Sequence, residues 1–332
     1  MKKNIAIIAG GYSSEFEVSL RSAENLYSFF DKARYNVYQV ILTKDRWEVV
    51  IHRQGAVESS TLPINKNDFS FMQCDDVVKI DFAYITIHGT PGEDGLLQGY
   101  FDMLGIPYSS CDVLTSALTF NKYMCNQFLK GQGIIISDSM LVRRGQSACP
   151  DEIVNALGLP VFVKPNTGGS SFGVTKVRET AQMQDALAKG FRESDEVVIE
   201  RFISGTELTC GCYQSGDQII ALPVTEVIPD NEFFDYGAKY NGEVQEITPA
   251  RISTALTEKI QRETVKIYEL VGAKGIIRID YIATSDEVPV LLEVNTTPGM
   301  TATSFIPQQV RAAGLKMEDI LTDIVENIIN KY

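Results

Sequence analysis

The chain has 332 residues, 44% hydrophobic and 22% charged, with 30 Lys+Arg against 43 Asp+Glu for a net charge of −13. That length suits two or three domains with a sizeable core, and the acidic balance offers no basic face for a nucleic acid. No apolar run is long enough to span a bilayer, so neither nucleic acid nor membrane is expected as a partner.

The start, Met1-Lys2-Lys3 before Ile5–Ala9, has the charge pattern of a secretion signal. The apolar run is too short for one, and Glu15 and Glu17 follow at once. Residues 4–9 read instead as a buried parallel strand ending in Gly10-Gly11. Ser14 with Glu17 three residues on predicts a capping box and a helix over 14–30. Strands are expected at 35–42, 47–51 and 82–87, which makes the N-terminal third an α/β layer. Thr115 or Ser116 can cap a helix running to about Lys130, with Gly131 and Gly133 as its stop.

Strands at 134–142 and 160–164 lead into a glycine-rich loop over 165–173; a helix over 180–192 and a strand over 197–202 follow. Residues 207–213 and 218–227 alternate like an antiparallel hairpin. The stretch 229–248 has few apolar periods, and a loop of that length commonly serves as a lid. A helix over 254–271, a hairpin over 275–295 and a helix over 317–330 complete the chain. Cys74, Cys111, Cys125, Cys149, Cys210 and Cys212 form no C-x-x-C pair. They read as reduced thiols of a cytoplasmic protein, mostly core filler.

Chemistry concentrates in the last hairpin. If its strands pair without a bulge, opposed residues have a constant sum of numbers. Asp280 then faces Glu293 and Arg278 faces Asn295 on one side of the sheet, about 5 Å apart. Two opposed carboxylates repel, and a divalent cation relieves this: carboxylates and an amide oxygen are hard ligands that suit Mg²⁺. Spacing alone leaves a solvated strand face equally open. Lys164 precedes the Gly/Ser loop, whose backbone amides with Ser170 and Ser171 can surround phosphate oxygens. The loop has neither the Walker nor the Rossmann pattern, and a plain hairpin loop accounts for it as well. Glu15 opens the first helix just past the first strand, where open α/β sheets bind ligands. Complementing the helix dipole explains an isolated Glu there more simply. His88 ends a strand beside Glu93 and Asp94 and is either a polar site member or a structural group.

Together these pieces resemble the D-alanine–D-alanine ligases of the ATP-grasp superfamily. The resemblance rests on Gly10–Ser19, on His88–Gly95, and on Lys164-Pro165 with Gly169-Ser170-Ser171. Asp235–Tyr240, Arg278-Ile279-Asp280 and Glu293–Thr301 continue it in family order. It implies an α/β fold, α+β in its C-terminal parts, in three domains: 1–112 with an open, mostly parallel sheet, 113–203, and 204–332. ATP would be gripped between the last two by Lys122, Lys164, Gly169, Ser170, Ser171, Glu200, Arg201, Ile203, Glu207, Phe233, Lys239 and Leu292. Asp280, Glu293 and Asn295 would hold two Mg²⁺ (or Mn²⁺). Glu15, Val18 and His88, the last supported by Glu93, would take the first D-alanine; Ser304 and Phe305 the second. Arg278 and the Gly299 amide would form an oxyanion hole, and Ser170 and Tyr240 would link to Glu15 when 229–248 closes.

The implied reaction is formation of D-alanyl-D-alanine through an acyl phosphate for peptidoglycan precursors, by a cytoplasmic homodimer. Family members that make D-alanyl-D-lactate carry His where Tyr240 stands, so Tyr240 favours an amine acceptor. Arg201 departs from the Lys common at its position. A D-alanine–D-lactate ligase and an inactive nucleotide-binding protein are the rival readings; the intact Glu15, Arg278, Asp280, Glu293 and Asn295 weigh against the latter. A dinucleotide-binding dehydrogenase fails because no third glycine follows Gly10-Gly11.

Overall fold

The apolar run after the N-terminus forms β1 (Lys3–Gly10), which the computed structural model, describing residues 2–51, 60–169, 172–229 and 244–332, places inside a five-stranded sheet, one strand from its edge. β2 (Tyr35–Leu42), β3 (Trp47–Ile51) and β4 (Ser60–Pro63) follow in the chain. β5 (Phe71–Gln73) and β6 (Asp76–Val78) make a separate ribbon, and β7 (Phe82–Ile85) returns to the main sheet, whose order is β4-β3-β2-β1-β7. β1 runs parallel to β2 and β7, but β3 and β4 join antiparallel, so the sheet is parallel in its β2-β1-β7 half and antiparallel in the other, rather than mostly parallel. Side chains of β1 alternate: Ile5 and Ile7 enter one core and Ala6 and Ile8 the other, as period-2 geometry requires.

Helix α1 spans Phe16–Phe29, and the capping box does not form: Glu15 is the N-cap residue and no side chain caps the helix. Ser13 Oγ accepts from the Glu15 amide (3.2 Å) and donates to the His88 carbonyl (2.6 Å). The chain is thus tied to a neighbouring loop one residue before the expected cap, and Glu17 is left in the first turn, where its charge complements the helix dipole. Buried Ser19 accepts from the Gly10 amide and donates to the Thr86 carbonyl, locking α1 to the ends of the two parallel strands.

After α2 (Leu96–Leu104), the helix expected to end near 130 is two: α3 (Val113–Phe120) and α4 (Lys122–Gly131). Their caps are Asp112, accepting from Thr115 N, and Asn121, accepting from Met124 N. The break at Asn121 opens a fresh helix start at Lys122. The central antiparallel sheet, ordered β10-β9-β11-β8, uses β8 (Ser139–Arg143), β9 (Val161–Pro165), β10 (Thr175–Val177) and β11 (Glu196–Arg201). α5 (Pro150–Leu157) and α6 (Met183–Gly190) cover it, and their core draws only on residues between 140 and 199. The strand expected over 134–142 begins only at Ser139, because Ile136 instead bridges Leu291 of the C-terminal sheet.

That sheet is ordered β15-β14-β12-β16-β17, with β13 also on β12. Its strands are β12 (Thr206–Ser215), β13 (Gln218–Ala221), β14 (Thr225–Pro229), β15 (Val244–Ile247), β16 (Ile276–Ala283) and β17 (Pro289–Asn295). The strand expected over 218–227 is split by Leu222-Pro223-Val224, since proline has no ladder donor. Helices α7 (Thr254–Leu270), α8 (Phe305–Ala312) and α9 (Met317–Ile329) complete the fold. α4 and Ile134 pack with α7 under this sheet around Cys125, Cys210 and Cys212. All six cysteines are free, and burial pushes Cys111, Cys125 and Cys210 up to about 12, consistent with inert filler. Among the described residues no helix is long and apolar enough to cross a membrane.

The N-terminal sheet and the C-terminal helices share one core: Ile5, Ile7 and Leu26 pack in a cluster with Ile306, Val310, Ile320 and Ile324. Ser22 accepts from Met300 N and Asn25 donates to Met300 O across the same seam. At its edge Gly275 has φ +67°, and a Cβ there would lie 1.9 Å from the Ser109 carbonyl oxygen. Neither backbone can retreat without opening the seam. Gly275→Ala is expected to cost about 2–4 kcal/mol, read as a lower urea midpoint at unchanged slope; an unchanged midpoint would show that the seam yields.

Candidate active site

The hairpin pairing is as expected at the site and differs just beyond it. Arg278 pairs with Asn295, Ile279 with Val294 and Asp280 with Glu293; Tyr281 then pairs with Leu291. The extra residue, Leu292, is a β-bulge. In a bulge two successive residues oppose one partner, and alternation is suspended for one step. Accordingly Leu291 and Val294 both enter the core, while Leu292 and Glu293 both face the same cavity. The bulge lets one strand present an apolar group and a carboxylate side by side.

Asp280 is the most heavily bonded carboxylate here. Arg278 donates Nε to its Oδ1 (2.9 Å) and Nη2 to its Oδ2 (2.7 Å). Thr209 Oγ1 donates to Oδ1 (2.6 Å) and Asn295 Nδ2 to Oδ2 (3.1 Å). Burial works against the Arg278 charge, and the Asp280 carboxylate overrides it, holding the guanidinium above its usual pKa. The opposing Glu293 is met by Lys122 Nζ at 3.4 Å. Cations thus already answer both carboxylates, and the pair with the Asn295 amide is a hard oxygen donor set, so the residues fit a divalent cation. Among the described residues no group of three or more His, Cys, Asp or Glu side chains is placed to hold a metal ion.

Two adjoining cavities meet at this hairpin. The larger, about 1070 Å³, is lined by Glu15, Val18, His88, Glu93, Asn295, Gly299 and Ser304 among others. The smaller, about 500 Å³, is more apolar: Phe162, Phe172, Phe202, Ile203, Ile228 and Leu292 line it with Lys164, Glu200, Glu207 and Asp280. Lys122, Gly168, Gly169, Arg278, Glu293 and Phe305 border both. Lys164 pairs with Glu200 at 2.8 Å, and Lys122 Nζ donates to the Gly168 carbonyl (2.6 Å). The Arg278 guanidinium lies 5.3 Å from the Phe305 ring centre, a cation–π contact. An aromatic slot beside a knot of cations and carboxylates suits a base at one end and phosphates at the other.

Glu15 and His88 come from the ends of the neighbouring parallel strands β1 and β7, the position where such sheets take ligands. Both are buried. Gly169, from the central sheet's loop, approaches so closely that a Cβ on it would sit 2.7 Å from Glu15 Oε2. Glu93 Oε2 accepts from the Gly89 amide (2.6 Å). Burial, then the Glu15 carboxylate, push the Glu93 carboxyl up to about 7 against the pull of that amide and of Lys122.

Every expected site residue within the described chain borders these cavities. Ser170, Ser171, Phe233, Lys239 and Tyr240, and most of 229–248, lie outside the described residues. Arg201 borders the smaller cavity, yet its guanidinium reaches Asp138 (3.9 Å) and the Ala156 carbonyl (3.5 Å). Its main chain is fixed separately by Asp138 O and Ser137 Oγ. Sequence reasoning missed the aromatic wall of Phe162, Phe172 and Phe202, and Thr209. Hairpin register could have found Thr209, since it pairs with Asp280 across β12 and β16.

Family models described as D-ala D-ala ligase N-terminus and D-ala D-ala ligase C-terminus match residues 4–111 and 128–326. Relatives named D-alanine–D-alanine ligase include that of Phocaeicola vulgatus, 60% identical over 98% of this chain and 99% of its own. That of Parabacteroides distasonis is 61% identical over 98% of each. Among solved structures, a D-Ala:D-Ser ligase from Enterococcus faecalis is 31% identical with a TM-score of 0.86, over 99% of this chain and 100% of that one. A D-alanine–D-alanine ligase from Bacillus anthracis complexed with ATP is 27% identical with a TM-score of 0.77, over 99% and 98%.

The Glu93 shift carries a pH signature. Its folded pKa lies above the ordinary carboxyl value, so folding takes up a proton between about pH 4.5 and 7. Ligand-free stability therefore falls as pH rises through that window. Glu93→Gln is expected to melt higher than the parent at roughly pH 8 and with it near pH 4.5; parallel melting curves at both pH values would remove the shift.

Proposed function

The chain belongs to the D-alanine–D-alanine ligase family, and on that premise we propose that it joins two D-alanine molecules at the expense of ATP, for peptidoglycan precursors, in the cytoplasm. The observation that carries this reading is the border shared by the two cavities, where Lys122, Arg278 and Glu293 stand together. A phosphoryl donor in the smaller cavity and a carboxylate acceptor in the larger one would meet there.

In this reading the adenine lies against Phe162, Phe202 and Leu292, with the main chain from Glu200 to Ile203 along its edge and Glu207 at the ribose. Lys122, Lys164, the loop Gly169–Ser171 and Lys239 hold the phosphates, and Phe233 closes over the base. The Arg201 side chain is turned to Asp138, so Arg in place of Lys leaves the slot unchanged. Glu15 takes the ammonium of the first D-alanine, with Val18 at its methyl group and His88 beside its carboxylate. Ser304 and Phe305 hold the second D-alanine. Asp280, Glu293 and Asn295 would hold two Mg²⁺ (or Mn²⁺), which when bound neutralise phosphate charge and orient the γ-phosphate.

A carboxylate oxygen of the first D-alanine attacks the γ-phosphorus and ADP leaves, giving an acyl phosphate. Such transfer depends on positioning and charge more than on covalent help. The amine of the second D-alanine attacks the acyl carbon, loses a proton, and phosphate departs. Arg278 and the Gly299 amide stabilise the oxyanion, an effect of about 10²–10³-fold per donor in comparable sites. Ser170, from the Gly/Ser loop, and Tyr240, from the segment 229–248, would join Glu15 and exclude water from the acyl phosphate.

The three units 1–112, 113–203 and 204–332 divide this work, the first holding amino acid and the other two gripping ATP. We assign a homodimer by analogy with the family and place its interface on the exposed apolar side chains Leu96 (64%), Met103 (82%) and Leu114 (77%) of α2 and α3. Met103→Glu should halve the mass measured by sedimentation; a parent that already sediments as a monomer would refute the dimer.

With ATP, Mg²⁺ and D-alanine alone, the protein should release ADP and phosphate and form dipeptide, with D-alanine preferred over D-serine and D-lactate as acceptor at neutral pH. Preference for D-lactate would overturn the Tyr240 argument. Glu293→Ala should lose at least about 100-fold in turnover; near-normal ADP release in that variant would sink the metal assignment.

A further inference from the structure

Gln309 is a fully buried amide five residues beyond Ser304 on α8. Its Oε1 accepts from the Gly211 amide (2.9 Å), and its Nε2 donates to the Thr209 carbonyl and to Thr225 Oγ1 (both 3.1 Å). These partners lie in a gap of the sheet. β12 pairs with β13 over Cys212–Ser215 and with β14 over Glu207–Thr209, and Pro223 interrupts the strands between them. The Gly211 N–H and Thr209 C=O face that gap. One carboxamide offers both the acceptor and the donor that a paired strand residue would have offered, so a side chain completes the ladder.

Room for the amide comes from a missing side chain. A Cβ on Gly211 would lie 2.7 Å from Gln309 Oε1 and 2.4 Å from Ile306 Cδ1. The strand it grips also carries Thr209, whose hydroxyl donates to Asp280 Oδ1 (2.6 Å). The helix it rides on begins at Phe305, which borders both cavities and packs on Arg278. We infer that Gln309 is a positioning residue. It fixes α8, which presents Ser304 and Phe305, in register with the strands that carry Arg278 and Asp280.

The inference rests on the ligase reading, which assigns Ser304 and Phe305 to the second D-alanine. It predicts a selective defect: loss of the amide shifts the helix relative to the sheet and reaches the acceptor before the nucleotide. Gln309→Met keeps the length and removes the hydrogen bonds. Steady-state kinetics of ADP release should show the saturation constant for the second D-alanine raised about tenfold, a 1.4 kcal/mol loss, with the ATP constant within about twofold. Gly211→Ala, which wedges the same contact from the sheet side, should give the same split. If Gln309→Met does not fold, Thr225→Val removes one partner of the amide and should shift the same constant about threefold. Lower melting temperature with unchanged acceptor saturation, or equal rises in the ATP and acceptor constants, would reduce Gln309 to a structural group. Absence of dipeptide from the parent protein would instead refute the ligase reading itself.

Discussion

Two carboxylates held face to face on neighbouring strands are the constraint around which the site is organised. Asp280 and Glu293 would repel across β16 and β17, so the surroundings supply positive charge and donors at fixed places. Arg278 clamps Asp280 through two nitrogens, and Thr209 and Asn295 bond its remaining lone pairs. Lys122 does the corresponding duty for Glu293, and it can do so because the chain breaks at Asn121 and begins a new helix there. A buried charge of this kind persists only when it is paired and hydrogen-bonded. Removing one member leaves another uncompensated.

The bulge at Leu292 ties this charge cluster to the apolar slot beside it. Strict alternation would send Leu292 into the core with Leu291's neighbours or turn Glu293 away from Asp280. One inserted residue avoids both, so a single strand borders the aromatic cavity and the polar one. The other wall comes from a sheet with its own separate core, whose Asn166 and Gly168-Gly169 reach across to Lys122 and Glu15. The site therefore forms where three layers converge, and the missing side chain at Gly169 leaves room for the Glu15 carboxylate.

Much of this was legible in the residues because it depends on local periodicity. The alternation of 275–282 and 290–295 and a constant sum of residue numbers gave the opposition of Asp280 and Glu293, and the family motifs gave the residues that border the cavities. What sequence could not supply was set by tertiary contacts. Ser14 and Glu17 have the spacing of a capping box, but Ser13 bonds to the His88 loop and moves the anchor. Asn121 is an ordinary capping residue inside what reads as one helix, and Asp112 caps that helix earlier than Thr115 or Ser116; both α3 and α4 pack against β17 on either side of the break. The bulge leaves no mark in composition. Thr209, Phe162 and Phe202 lack a motif and matter through what the sheets bring beside them.

The shared core of the two ends of the chain also orders events during synthesis. Ile5 and Ile7 leave the ribosome long before Ile306, Val310, Ile320 and Ile324, with which they pack. The opposite face of the same strand, Ala6 and Ile8, is covered by residues no later than Tyr108. A nascent chain can therefore build the N-terminal sheet early with one side finished and the other covered only in part, by Ala23 and Leu26 of α1. The rest of that side stays apolar and uncovered until α8 and α9 arrive, so the chain carries an adhesive face while the residues between are being made.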